Sequence, residues 1–152
     1  MIELGWLNHK AKDLTPPALF VVEGLVLGFT SGCYYRPFRG EVVLDGRCVS
    51  TERGLIVISG LNESRGLDSQ EAPNALAHEW RHHWQTFNVR RGLPSHWGKS
   101  WSADYENSIV KFFKNPHEMD ALLFSYHIAP CETTRLWLSF IQKNMQMNKE
   151  TQ

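Results

Sequence analysis

Residues 74–87, NALAHEWRHHWQTF, have the periodicity of an amphipathic helix and constrain the fold more than any other part of the chain. At about 100° per residue, four large apolar side chains fall within one sector of roughly 80°. These are Leu76, Trp80, Trp84 and Phe87. The sector is predicted to pack on the core. His78 and His82 point to nearly the opposite side, whereas His83 borders the core face and is predicted to be structural.

The length of the chain predicts one domain over residues 1–152, and its three widely spaced cysteines suit a cytoplasmic protein. Lys plus Arg equals Asp plus Glu, at 16 each, so there is no net field toward nucleic acid or an anionic membrane. The apolar segment 18–29 contains Glu23 and is shorter than the roughly 20 residues that span a bilayer. The N-terminus lacks the pattern of a signal peptide, and the 3 cysteines lack CxxC spacing. Neither a membrane nor nucleic acid is therefore a predicted partner.

Local signals along the chain predict an α+β fold. Thr15 before two prolines predicts the N-cap of a first helix that ends near Phe29, and a loop follows. Residues 41–60 contain β-branched runs around turn residues, which predicts two or three short antiparallel strands. Further helices are predicted over 74–87, 103–113, from 116 onward and over 133–144, with a frayed tail. The predicted architecture is a small antiparallel sheet packed on the 74–87 helix with several further helices.

His78, Glu79 and His82 form H-E-x-x-H within that helix. Helical residues four apart lie one turn apart on the same face, so the two imidazoles can converge on one metal ion. The glutamate between them can take a proton from a metal-activated water and deliver it to the leaving group. The motif predicts a zinc hydrolase with Glu79 as its catalytic residue. The alternative is a surface helix in which the histidines are incidental and no metal binds.

Catalytic zinc usually has three protein ligands, and the sequence offers two candidates for the third. Glu118, in NPHEMDALLFS, shares a predicted helix face with two small residues that would let this helix approach the first one closely. Asp120 projects about 160–200° away from Glu118 and is disfavoured. Glu118 also fits the third helical position after an Asn115 N-cap, an arrangement that needs no metal. His96, in the loop LPSHWGKSW, is the second candidate.

AHEWRHHWQ followed by NPHEMDALLF resembles the gluzincin metallopeptidases. In that family H-E-x-x-H on one helix is completed by a glutamate from a following helix, often within E-x-x-A. The resemblance covers about 55–124 and is closest to small single-domain, minigluzincin-like members. It implies a zincin-like fold, a Zn²⁺ cofactor, ligand roles for His78, His82 and Glu118, and a general-base role for Glu79.

The same resemblance implies a substrate site. The family binds an extended peptide along the strand before the active-site helix, which here is GLIVISG and gives Val57 and Ser59 a substrate-binding role. Arg81 departs from the family, since many members have a small residue there; its side chain would narrow the cleft or pair with an acidic group. His96 is similar to the third histidine of other minigluzincin-like proteases that act on DNA-bound proteins, although Trp97 stands where those have glycine.

These observations predict a zinc-dependent metallopeptidase that acts on a peptide or protein in extended conformation. The alternative from another class is a binding or regulatory module that keeps the zincin scaffold without turnover, which Arg81 favours. Nucleic-acid binding enters only by analogy with the His96 alternative, because the chain has no basic stripe with interleaved aromatic residues.

Overall fold

The computed structural model describes residues 15–23, 32–60, 70–88 and 105–150, with the side chains of 105–108 and 148–150 left aside. Within these ranges the chain forms a small sheet, a hairpin and four helices, so the predicted α+β class is confirmed. The strands are β1 (Ala18–Val22), β2 (Gly32–Tyr35), β3 (Glu41–Leu44), β4 (Arg47–Ser50) and β5 (Leu55–Ser59). The helices are α1 (Glu71–Asn88), α2 (Tyr105–Phe113), α3 (Pro116–Ile128) and α4 (Glu132–Glu150).

β5 is the central strand of a three-stranded sheet with the order β1-β5-β2. Val57 of β5 lies opposite Phe20 in the parallel pair with β1 and opposite Cys33 in the antiparallel pair with β2. All five residues of β5 are buried, as expected for an unbroken apolar strand that is covered on both faces. The sheet is therefore mixed, and the prediction of a purely antiparallel sheet is wrong.

β3 and β4 form a separate antiparallel hairpin. Its turn residues Asp45 and Gly46 both have positive φ, at 47° and 73°. Two successive positive φ angles are what a two-residue type I′ turn requires, and Asp-Gly is a sequence that adopts them readily. The predicted turn at this position is confirmed.

Two predictions for the N-terminal third are wrong. The Thr15-Pro-Pro signal predicted a helix, but Ala18–Val22 is a strand whose first amide donates to the carbonyl of Gly54 at 2.9 Å. Pairing with β5 outweighs the local helix signal, and the rest of the predicted helix, 24–29, lies outside the described residues. The segment predicted as a loop before residue 41 contains β2, whose aromatic residues Tyr34 and Tyr35 pack on the sheet.

α1 lies between the sheet and α3, so both of its sides are covered. On the sheet side Ala75, Leu76 and Trp80 pack against side chains of β2 and β5. Phe87, predicted to be part of the core face, is 55% exposed. His83 occupies the fully buried place instead, and the Phe87 ring packs over it with centroids 5.1 Å apart.

His83 ties α1 to the sheet, which confirms its predicted structural role. Its Nε2 lies 2.9 Å from the carbonyl oxygen of Thr15 and its Nδ1 lies 2.9 Å from the hydroxyl of Tyr34. Because a carbonyl only accepts, Nε2 carries the proton and Nδ1 accepts from the tyrosine O–H. Burial lowers the pKa of His83, which favours this neutral ring. Gly54 has φ +83°, and a Cβ there would lie 3.2 Å from Nδ1.

Tyr34→Phe is expected to lower the free energy of unfolding by about 1–3 kcal/mol, because it leaves the buried Nδ1 of His83 without its donor. Urea denaturation followed by circular dichroism measures the difference. Tyr126→Phe, at a half-buried position of α3, is the control and should stay within about 0.5 kcal/mol of the wild type. Equal stabilities for the two variants would show that the Tyr34–His83 hydrogen bond does not hold α1 on the sheet.

α2, α3 and α4 form a separate apolar cluster among themselves. Its buried members are Ile109, Val110, Phe113, Leu122 and Ile141. α3 begins as predicted, with the Asn115 side chain accepting from the amide of His117 at 2.9 Å and Pro116 in its first turn. α4 continues to Glu150 and is longer than predicted. In the described part of the chain, none of the helices has the length and apolar character needed to cross a membrane.

Candidate metal centre

His78 and His82 of α1 meet Glu118 from the first turn of α3. Glu118 Oε2 lies 3.1 Å from His78 Nε2 and 3.3 Å from His82 Nε2, and the ligand atoms of the three residues all lie within 4.8 Å of one another. Ala121 and Ser125, the two small residues predicted to share the face of Glu118, are fully buried, as expected where two helices approach closely. The sequence predicted this shared face correctly, and the three side chains could hold a metal ion.

Two of the separations between the donor atoms match the edges of a tetrahedral site. A metal ion bound at about 2.0–2.1 Å to its ligands has tetrahedral edges of about 3.3 Å, which is close to both nitrogen–oxygen distances around Glu118. Two imidazole nitrogens and a carboxylate oxygen are also a donor set that suits transition-metal ions. The three side chains could therefore hold such an ion.

The electrostatics of the group centre on Glu118. Burial by itself would raise the pKa of this carboxyl, but the hydrogen bonds from His78 and His82 hold it well below its usual range. Burial would likewise lower the pKa of His82, yet the hydrogen bond to Glu118 and its charge raise it to about 9. Glu118 thus provides fixed negative charge where a cation would lie. Its side chain contacts the two histidines, which favours the ligand role over the capping role.

Glu79 is buried beside the histidine pair. Its Oε2 has no hydrogen-bond partner among the residues that the structure describes. Burial raises the pKa of Glu79, and His78 and His82 act in the opposite direction. A buried carboxylate oxygen without a partner is costly, so its presence calls for a functional explanation. The arrangement suits a group that takes a proton from a water molecule at the centre.

Gly32 of β2 forms the wall beside Glu79. A Cβ at Gly32 would lie 3.1 Å from both Cγ and Oε1 of Glu79, so a larger residue would push the glutamate side chain. Gly32 was not predicted as part of the site, because it falls in the segment predicted as a loop. Two adjacent tyrosines, a residue type enriched in strands, were the available signal.

Arg81 turns away from the three ligands and pairs with an acidic group. Its Nε and one terminal nitrogen donate to the two carboxylate oxygens of Asp120 at 2.8 and 3.2 Å. The guanidinium also lies 4.0 Å from the ring centroid of Trp84 and 4.9 Å from that of Phe124. Asp120, which was disfavoured as a ligand because it projects away from Glu118, lies outside the group of three and binds Arg81 and Gln85 of α1 instead.

The predicted substrate role of Val57 and Ser59 is wrong as stated. β5 has neighbours on both sides, so it has no edge for a peptide, and both residues are fully buried. His96, the alternative third ligand, lies outside the described residues.

Comparisons with known protein families, with curated proteins and with solved structures give no match. The gluzincin resemblance therefore remains a prediction that depends on two short motifs. Independently of that resemblance, His78, His82 and Glu118 lie together in the structure, and Glu79 is buried next to them.

Proposed function

We propose that this protein is a zinc-dependent metallopeptidase. The observation that carries the proposal is the convergence of His78 and His82 with Glu118 from a second helix, whose carboxylate lies 3.1 and 3.3 Å from the two imidazole nitrogens. The unpartnered oxygen of Glu79 supports it, since this carboxylate would serve as a proton acceptor beside the same group.

Zinc is the favoured ion because of the donor set. Calcium and magnesium prefer oxygen ligands, whereas two imidazoles with one carboxylate and an open position are typical of catalytic zinc. Zinc bound there would supply a Lewis acid that activates water and polarises the carbonyl of the substrate. His78 and His82 would hold the ion through Nε2, and Glu118 would balance part of its charge. Glu79 accepts the proton of the attacking water and delivers it to the departing amine.

We place the substrate peptide alongside β2 in preference to β5. β2 is the terminal strand of the described three-stranded sheet, and its first residue, Gly32, touches Glu79. An extended peptide bound there through its backbone would bring a carbonyl group near the general base. The substrate class is therefore a peptide or an unfolded protein segment.

The alternative of a binding module without turnover is no longer favoured by Arg81. The bulk of this side chain was expected to narrow the cleft. Arg81 is instead buried. Its ion pair is with Asp120 and its guanidinium lies against Trp84, so the groups that hold it are not the three candidate ligands.

Metal removal tests the proposed function. The purified protein is expected to contain about one zinc per chain by elemental analysis and to cleave members of an unstructured peptide library. Treatment with a chelator should abolish cleavage, and added zinc should restore it, because the water activation depends on the ion. Bound zinc without cleavage of any peptide would favour the silent module. No zinc after reconstitution would mean that the histidines are incidental.

A further inference from the structure

Gln85 lies one turn after His82 on α1 and connects it to α3. The His82 Nδ1 and Gln85 Oε1 atoms are 2.9 Å apart. The Gln85 Nε2 atom donates to the carbonyl oxygen of His117 at 2.9 Å and to the carboxylate of Asp120 at 2.8 Å. One amide therefore contacts an imidazole of the metal centre on one side and two acceptors of α3 on the other.

The two acceptors on α3 determine which atom donates and which accepts in each hydrogen bond of Gln85. A carbonyl and a carboxylate only accept, so the amide nitrogen of Gln85 must face them and its oxygen must face His82. An amide oxygen only accepts, so His82 Nδ1 must carry a hydrogen. Nε2, which donates to Glu118 at 3.3 Å while the ring is protonated, is then the nitrogen whose lone pair becomes available when a metal ion replaces that proton.

Arg81 holds the far end of these contacts in place. It binds Asp120 through two nitrogens, and Trp84 and Phe124 lie against its guanidinium. Arg81 is 3% exposed and Gln85 is 1% exposed, so water does not compete strongly for the hydrogen bonds. A planar donor that binds both carboxylate oxygens also restricts the rotation of Asp120.

We propose that Gln85, Asp120 and Arg81 act as positioning residues that orient His82 and fix its Nε2 as the metal ligand. The proposal extends the proposed function, because it assumes that a metal ion binds at His78, His82 and Glu118. Outer partners of this kind raise metal affinity by restricting the ring and setting its tautomer. Arg81 is the residue at which the chain departs from the family that it resembles. In this proposal Arg81 has a role in the metal centre without touching the ion.

Zinc affinity in matched variants tests this assignment. Gln85→Ala is expected to weaken zinc binding by about 10–100-fold in competition with a chromophoric chelator. Asp120→Asn, which keeps one carbonyl-type acceptor, should weaken it less. The control is Asn74→Ala, since Asn74 is another buried amide of α1, whose Nδ2 donates to the carbonyl of Ala129 at 2.8 Å. Loss of this hydrogen bond should lower the free energy of unfolding and leave zinc affinity unchanged.

A second measurement uses the unmodified protein and does not depend on how the variants fold. Long-range proton–nitrogen NMR spectra of the zinc-loaded wild type should show His82 with a protonated Nδ1 and a metal-bound Nε2. The reverse assignment would overturn the proposal, as would a Gln85→Ala zinc affinity equal to that of the wild type or of Asn74→Ala. Absence of zinc binding by the wild type would overturn the proposed function and this inference together. Weakened binding only in the Gln85 and Asp120 variants supports both.

Discussion

Glu79→Gln is expected to keep one zinc per chain and to lower the rate of peptide hydrolysis by about 10²–10⁴-fold, the contribution typical of a general base. Glutamine has the size of glutamate but cannot take a proton from water at the centre. Because the candidate ligands are His78, His82 and Glu118, the substitution leaves the donor set intact. Zinc content and initial rates on one cleaved peptide, measured on the same preparation, separate the two effects.

The stability of the metal-free Glu79→Gln protein gives an independent check. Burial raises the pKa of Glu79 in the folded chain, so folding favours the protonated carboxyl and the stabilisation is lost as the pH rises through the folded pKa. Glutamine mimics the neutral form at every pH, so the variant should be at least as stable as the wild type at pH 7.

Glu132→Gln, at an exposed position of α4, is the control for the activity measurement and should retain full activity. Wild-type rates in Glu79→Gln would refute the general-base role.

Glu118→Ala is expected to weaken zinc binding by more than about 100-fold, because loss of an outer partner alone costs about 10–100-fold. The variant removes the carboxylate that lies 3.1 and 3.3 Å from the two Nε2 atoms and leaves two imidazoles, too few for a catalytic zinc site. Zinc stoichiometry after gel filtration and affinity by chelator competition are the measurements. Hydrolysis should be lost in parallel.

Two companion variants distinguish a ligand role of Glu118 from a capping role and from ligation by His96. Asn115→Ala removes the N-cap of α3 and should cost about 1 kcal/mol of stability with zinc retained, because the cap and the ligand use different side chains. His96→Ala should also retain zinc. Zinc that is lost in His96→Ala and kept in Glu118→Ala would transfer the third ligand to His96 and change the family prediction with it.

Much of the candidate metal centre was predictable from sequence, because local signals set the two helix faces that form it. The spacing of His78 and His82 fixes their shared face, and Asn115-Pro116 fixes where α3 begins and hence where Glu118 points. The pairing of Arg81 with an acid was open as one of two alternatives. Which acid it binds depends on the packing of α1 on α3, which periodicity does not specify.

The sheet was less predictable because its pairing is not local. Thr15 and two prolines predict a helix where β1 lies, yet Ala18 pairs with Leu55, a residue far along the chain. A local signal cannot reveal that partner, and tertiary pairing decides the conformation. For the same reason the sequence of β5 predicts a strand but not the two neighbours, β1 and β2, that leave it without a free edge.

The contact between Gly32 and Glu79 has a consequence for how the protein can change over time. α1 and α3 supply the three candidate ligands, while β2 supplies the wall against Glu79, the proposed general base. Under the proposed function, substitutions on α3 would alter how tightly the ion is held, and substitutions on β2 would alter proton transfer by Glu79. The two properties could then diverge separately among descendants of this chain, and a lineage that lost hydrolysis through β2 would keep its metal site.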